Sequence, residues 1–198
     1  MSNLYQAAIA EFDKANSEDP NKETVEGKEY PKELLYAHRM TEMQERYAPE
    51  ASEAVKLAVR AQHIQRWKSP RSDFTMDRQG YLQWRTGLYK FHAETASNLM
   101  KKVGYDYEMA DRVYAIISKK GLKINPETQL MEDVVDLVFI EHYMAGFANK
   151  HAEYDEAKWI EIIKKTWQKM SPCAHEFALA GKITLPEVLL PLILKAIK

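Results

Sequence analysis

Apolar residues along this chain recur mostly at intervals of three and four, with polar residues filling the positions between. That spacing puts side chains on one face of a helix rather than on one side of a strand. Leu4, Ala7, Ala8 and Phe12 form such a stripe within residues 4–14. Residues 17–30 (SEDPNKETVEGKEY) are polar, hold a Pro and a Gly, and predict a loop. Pro31 suits a first helical position, and a helix is expected from there to about residue 47. Pro49 should open a second one reaching about Trp67. A charged connection follows at 68–79, then a third helix over about 81–102. Gly104 suits a left-handed C-terminal cap, and Asp106 can cap the next helix, which should end near Gly121.

Asn125-Pro126 pairs a cap with a first-turn proline and predicts a long helix to about Asn149. Another is expected over about 156–170. Thr184-Leu185-Pro186-Glu187 has capping-box spacing and should start the last. Residues 134–140 (VVDLVFI) are β-branched, yet they lie in a longer run with helical spacing, so helix is the better assignment. No segment alternates with period two long enough for a convincing strand. The expected fold is all-α with about seven helices, residues 1–150 forming the main domain and 151–198 a helical extension packed on it.

Composition narrows the function classes. The chain has 198 residues, 45% hydrophobic and 29% charged, enough to bury a core. Its formal net charge of −1 argues against a generally basic nucleic-acid binder. One cysteine excludes an internal disulfide or a zinc ribbon. That residue, Cys173, lies near His175 but has no activating surroundings in the sequence. Residues 1–16 lack the apolar run of a secretory signal. The apolar stretch at 183–197 is too short, and too interrupted by Glu187, Lys195 and two prolines, to span a bilayer. A cytoplasmic protein without a membrane partner is expected. No phosphate-binding loop, dinucleotide fingerprint or kinase motif is present.

Four polar residues fall in otherwise apolar rows. His63 follows Val55 and Val59 at intervals of four, His38 follows Leu34 and Leu35, His92 lies between Leu88 and Ala96, and Asp133 precedes Leu137 and Ile140. An unpaired buried carboxylate costs several kcal/mol, so partners are expected for Asp133. Either each of the four makes its own buried hydrogen bond, or they converge on a shared site. Imidazole and carboxylate together suit divalent Mn, Fe, Zn or Ni, which would lower the pKa of a bound water or polarise a phosphoryl oxygen.

This pattern resembles the HD-domain superfamily, all-α proteins whose divalent-metal site uses a His, a distant His-Asp pair and a later Asp. His38 in ELLYAHRM resembles the first His, His63 in AVRAQHIQRW the second, and Asp133 in QLMEDVVDLVF the final Asp. His92 resembles the extra His that some members use. The resemblance implies an HD-domain-like orthogonal bundle with His38, His63, His92 and Asp133 as metal ligands. It departs at Ile64, which stands where the pair has its Asp, and Ile cannot bind a metal. Either His92 or Glu132 replaces that ligand, or the site has lost its metal. Lys119 and Lys120 stand where the superfamily often has a His. A more specific resemblance, over about residues 4–150, is to an uncharacterised family of domains of unknown function. The segments AQHIQRW, SPR, GYLQWRTGLYKFHAE and MEDVVDLVFIEHY carry it.

Arg60, Arg66, Arg71, Arg78 and Arg85 cluster in the same region as Trp67 and Trp84. Guanidinium forks suit phosphate, and indole faces can stack a base. The bland alternative is a solvated charged face with helix packing and salt bridges. The leading expectation is a metal-dependent hydrolase of a phosphorylated small molecule or nucleotide. Arg66, Arg71, Arg85, Trp67 and Trp84 would hold the substrate, and Glu132 or Asp136 would act as general base. The alternative is a degenerate, non-catalytic helical module that binds an RNA or protein partner.

Overall fold

The computed structural model describes residues 3–197, so residues 1, 2 and 198 of the expected domains lie outside the described residues. The fold is mostly helical, with ten α-helices and a two-stranded hairpin among the described residues. Two compact units are present, Met1–Met131 and Glu132–Lys198. The expected division near residue 150 falls inside the second. No described helix is long and apolar enough to cross a membrane.

In the first unit, α1 (Asn3–Ser17) buries Ala8 and Phe12, and α2 (Lys32–Tyr47) buries Tyr36, Ala37, Met40 and Met43. Between them the predicted loop folds instead into a hairpin, β1 (Lys22–Val25) with β2 (Lys28–Pro31). Val25 pairs with Lys28, leaving Glu26 and Gly27 as a two-residue turn with φ of 50° and 78°. Two positive φ values make it the turn whose twist matches a hairpin. The strands are short and half-exposed, so no apolar alternation marks them.

The helix expected from Pro49 to Trp67 is shorter at both ends: α3 is Glu53–Ala61. It starts at Ser52, whose Oγ accepts from the Val55 amide. Beyond Ala61 the chain leaves the helix, and Gln65 adopts a left-handed φ of 52°. That conformation is costly for a non-glycine residue. The buried Asn16 stabilises the turn, its Oδ1 accepting from the Gln65 amide at 2.9 Å. His63 therefore reaches its place through a turn, not as the next rung of a helical row.

The long helix α4 (Arg78–Lys102) begins at the Asp77 cap and is followed by Gly104 at φ 106°, as the sequence predicts. Asp106 caps α5 (Tyr107–Ile117) by accepting from the Met109 amide at 2.8 Å. Asp106→Ala should cost about 1 kcal/mol in denaturant unfolding, while Asp106→Asn should cost a few tenths at most. Helices α1, α2 and α3 pack on one another, and α3 and α4 both pack on α5. Phe12, Met40, Met43, Leu57, Ile64, Met100 and Ile116 form the fully buried centre.

Asn125 caps α6 (Pro126–Val138), its Oδ1 accepting from the Glu127 and Thr128 amides. The helix predicted to continue to Asn149 is interrupted by a π-helical turn, Phe139–Tyr143, before α7 (Met144–Lys150). In the second unit, α8 (Glu156–Lys169) packs on α10 (Leu190–Ala196), burying Trp159, Ile163, Ile193 and Ala196. An unpredicted helix, α9 (Pro172–Leu179), lies between them in sequence, capped by Ser171 with proline in its first turn. The expected capping box at Thr184 does not form; a short 3-10 turn at Glu187–Leu189 precedes α10, and the Thr184 amide donates to Glu141.

Candidate functional site

The first unit holds a buried cluster of ionisable side chains centred on His63. Glu33 lies in the first turn of α2, on the same face as Tyr36 and Met40, and is 6% exposed. His63 comes from the turn after α3 and His92 from the buried face of α4. The Tyr36 ring stacks on His63 at 4.1 Å between centroids, and the His92 ring stands 5.7 Å from it. Tyr36 thus holds the His63 ring plane.

Hydrogen bonding defines both imidazoles. Arg66 Nη1 lies 3.0 Å from His63 Nε2. A guanidinium can only donate, so that nitrogen is the acceptor and the proton sits on Nδ1. His63 Nδ1 faces Glu33 Oε2 at 3.4 Å. His92 Nδ1 lies 2.8 Å from the Ile64 carbonyl oxygen, which can only accept, so Nδ1 carries the proton there as well. Ile64, fully buried, cannot replace the aspartate of the HD pair with its side chain, but its carbonyl fixes the tautomer and orientation of His92.

The electrostatics agree with two neutral rings. Burial pushes the His63 pKa well below its ordinary value, and Arg66, Lys119, Lys32 and Arg85 lower it further. Burial and His63 push His92 down to about 3. Burial raises the Glu33 carboxyl to about 7, against the opposing charges of Arg66 and Lys32, with Asp19 pushing it up. The cluster therefore combines neutral imidazoles, a carboxyl that exchanges its proton near neutrality, and four surrounding cations.

The other expected residues make contacts of their own, Arg85 while also acting on His63. His38 is exposed, and the charges acting on it are Arg60 and Asp13 rather than those around His63. Arg60 itself forms a two-pronged pair with Asp13, both bonds 2.7 Å, joining α1 to α3. Arg71 donates to the carbonyls of Phe74, Thr75 and Asp77 and so fastens the loop before α4. Arg85 donates to the Tyr89 and Tyr81 hydroxyls. Trp84 donates its indole N–H to the Ser69 carbonyl, and Arg66 lies over its ring at 5.1 Å. Trp67 is half-buried in the 3-10 turn Arg66–Lys68.

Asp133, Glu132 and Asp136 belong to the second unit, and all three are buried. Both Asp133 oxygens are engaged by Ser171, through its amide at 2.7 Å and its hydroxyl at 2.5 Å. Glu132 and Asp136 share the Lys169 ammonium. Burial alone would lower the Lys169 pKa, but the two carboxylates outweigh it and raise it. Of the four residues expected to bind a metal, His63 and His92 meet, while His38 stands among other charges and Asp133 is used by Ser171. Among the described residues, no group of three or more His, Cys, Asp or Glu side chains is arranged to hold a metal ion. Within the first unit, His63 and His92 therefore form no metal-ligand group with a third such side chain among the described residues.

Glu33, Tyr36, Lys32 and Lys119 were not assigned to a site by the sequence. Glu33 carried a usable signal: it shares the inward stripe of Tyr36, Ala37 and Met40 and was the only acid on it. Compared with known proteins, residues 6–193 match the family described as "Domain of unknown function (DUF4202)". No curated protein and no solved structure gave a match.

Proposed function

We propose, from the premise that the chain belongs to this family of unknown function, that its first unit binds a phosphorylated small molecule or nucleotide at the Glu33–His63–His92 cluster and hydrolyses it. The observation that supports this reading is the pairing of a near-neutral carboxyl with two uncharged imidazoles, with the Arg66 guanidinium 3.0 Å from His63. Arg66, Arg85 and Lys119 would offset the charge on the phosphoryl oxygens. Glu33 is suited to take a proton from an attacking water or to return one to the leaving oxygen, because its pKa lies near the working pH. The water oxygen would bond to phosphorus as the ester oxygen leaves. His63 Nδ1 would position Glu33 Oε2 at 3.4 Å, and Arg66 would favour the ionised carboxylate directly.

Residence in the cytoplasm and an HD-domain-like orthogonal bundle belong to the same reading, supported by the exposed free Cys173 and by the sequence resemblance. No step is routed through a metal. A divalent metal stays in the reading only as a variable of its test.

The test is phosphate release from a panel of nucleotides and sugar phosphates, run with and without Mn, Fe, Zn or Ni, beside calorimetric binding of inorganic phosphate. Arg66→Ala should weaken phosphate binding at least about tenfold, the scale of one lost charged hydrogen bond. Glu33→Gln should abolish release while sparing binding. No phosphate binding at low salt would overturn the reading. RNA binding with a steep salt dependence and no release would favour the non-catalytic module instead.

A further inference from the structure

His92 Nε2 has a chemical requirement that phosphate alone does not meet. Its ring is 2% exposed, and no side-chain or backbone group among the described residues hydrogen-bonds to this nitrogen. With the proton fixed on Nδ1 by the Ile64 carbonyl, Nε2 presents only a lone pair. The ring nitrogens of His63 are both committed, one to Arg66 and one toward Glu33. His92 Nε2 is therefore the imidazole nitrogen left in the cluster without a partner. A buried acceptor of this kind costs free energy until a donor reaches it. The neighbouring His63 side chain is 23% exposed, and its ring is 5.7 Å from His92.

The donor's class follows from the surroundings. An ionised phosphate oxygen has no hydrogen to give, so it cannot satisfy Nε2. An ammonium group would meet Arg66, Arg85, Lys119 and Lys32, the cations that act on the neighbouring His63. A neutral hydroxyl has neither objection. We infer that the site takes a phosphate ester bearing a free hydroxyl, such as a polyol or sugar phosphate, whose hydroxyl donates to His92 Nε2 while its phosphate lies toward Arg66, Arg85 and Lys119. The inference rests on the phosphate reading above and adds to it the discrimination that His92 provides. His92 is then a specificity determinant, and the hydroxyl is what it selects.

The experiment uses the full chain and three probes in calorimetry at pH 7.5: inorganic phosphate, n-propyl phosphate and glycerol 3-phosphate. The last two differ in their hydroxyls. Glycerol 3-phosphate should bind the parent protein at least about tenfold more tightly than propyl phosphate, because only it pairs the buried acceptor. His92→Leu should reduce that ratio to near one. His92→Gln, which keeps an acceptor oxygen, should retain part of the ratio. The parent comparison needs no variant, so a His92→Leu protein that fails to fold does not remove the test. Equal affinity of the parent for the two esters, with inorganic phosphate binding, overturns the hydroxyl inference and leaves the phosphate reading standing. Failure of all three probes to bind overturns both.

Discussion

Lowering the pH from 7 to 4 should cost the native protein about 3 kcal/mol through His92 alone, and about 5 kcal/mol once the pH falls below 3. In the native state this imidazole accepts a proton only near pH 3, whereas an unfolded histidine does so near 6.5. The unfolded chain therefore binds more protons throughout that interval, and its population rises as the pH falls. The stabilisation is complete above pH 6.5 and is lost as the pH drops toward 3. Burial is the main cause, with His63 and Arg66 opposing a positive ring and the Ile64 carbonyl and Glu33 partly favouring it. His63, also held well below its ordinary value, adds loss in the same direction. Urea unfolding of the parent and of His92→Gln at pH 7, 6, 5 and 4 measures the effect. The amide cannot titrate, so the variant should lose less stability over the interval, by about 3 kcal/mol. Parallel pH profiles for the two proteins would show that His92 titrates as it does in the unfolded chain.

Helix-rich architecture was legible because helical spacing, caps and breakers coincide at Asp106, Gly104 and Asn125-Pro126, where the structure uses each as predicted. Two kinds of feature were not legible. The hairpin at residues 22–31 has four-residue strands with little burial, so turn geometry at Glu26–Gly27 specifies it more than any hydrophobic pattern. The end of α3 depends on a tertiary contact, the Asn16 side chain on the Gln65 amide, which periodicity along one segment cannot contain.

The same limit applies to the site. Face assignment correctly placed His92 inward, and the structure sets it beside His63, but His63 arrives through the turn that the sequence read as helix. His38, three and four residues beyond Leu35 and Leu34, belongs to an exposed strip of α2, while Glu33, at the helix start, is buried. A single stripe on a short helix does not say which of its polar members points inward. The partner expected for Asp133 is Ser171, contributed by the capped start of α9.

Glu33→Gln should stabilise the protein by about 3 kcal/mol at pH 8 and by almost nothing near pH 4, even as it removes phosphate release. The native Glu33 carboxyl titrates near 7, above the 4.5 expected of it unfolded. Between these values the folded state binds more protons than the unfolded one, so the contribution of Glu33 is fully present below pH 4.5 and is lost as the pH rises through 7. At pH 8 the native protein holds a buried carboxylate whose desolvation Arg66 and Lys32 only partly offset. Glutamine keeps the shape and a carbonyl toward His63 Nδ1 but never ionises. The pH slopes of Glu33 and His92 have opposite signs, so the parent's profile alone cannot separate them. The difference between parent and Glu33→Gln, measured by urea unfolding at pH 4, 6 and 8, isolates one. A difference that stays constant across that range would mean Glu33 is an ordinary carboxylate, and the near-neutral proton exchange required of it in catalysis would fail with it. A difference that grows with pH, accompanied by lost phosphate release, would show that the protein gives up stability at this position to keep an ionisable group where a solvent-exposed one would be permanently charged.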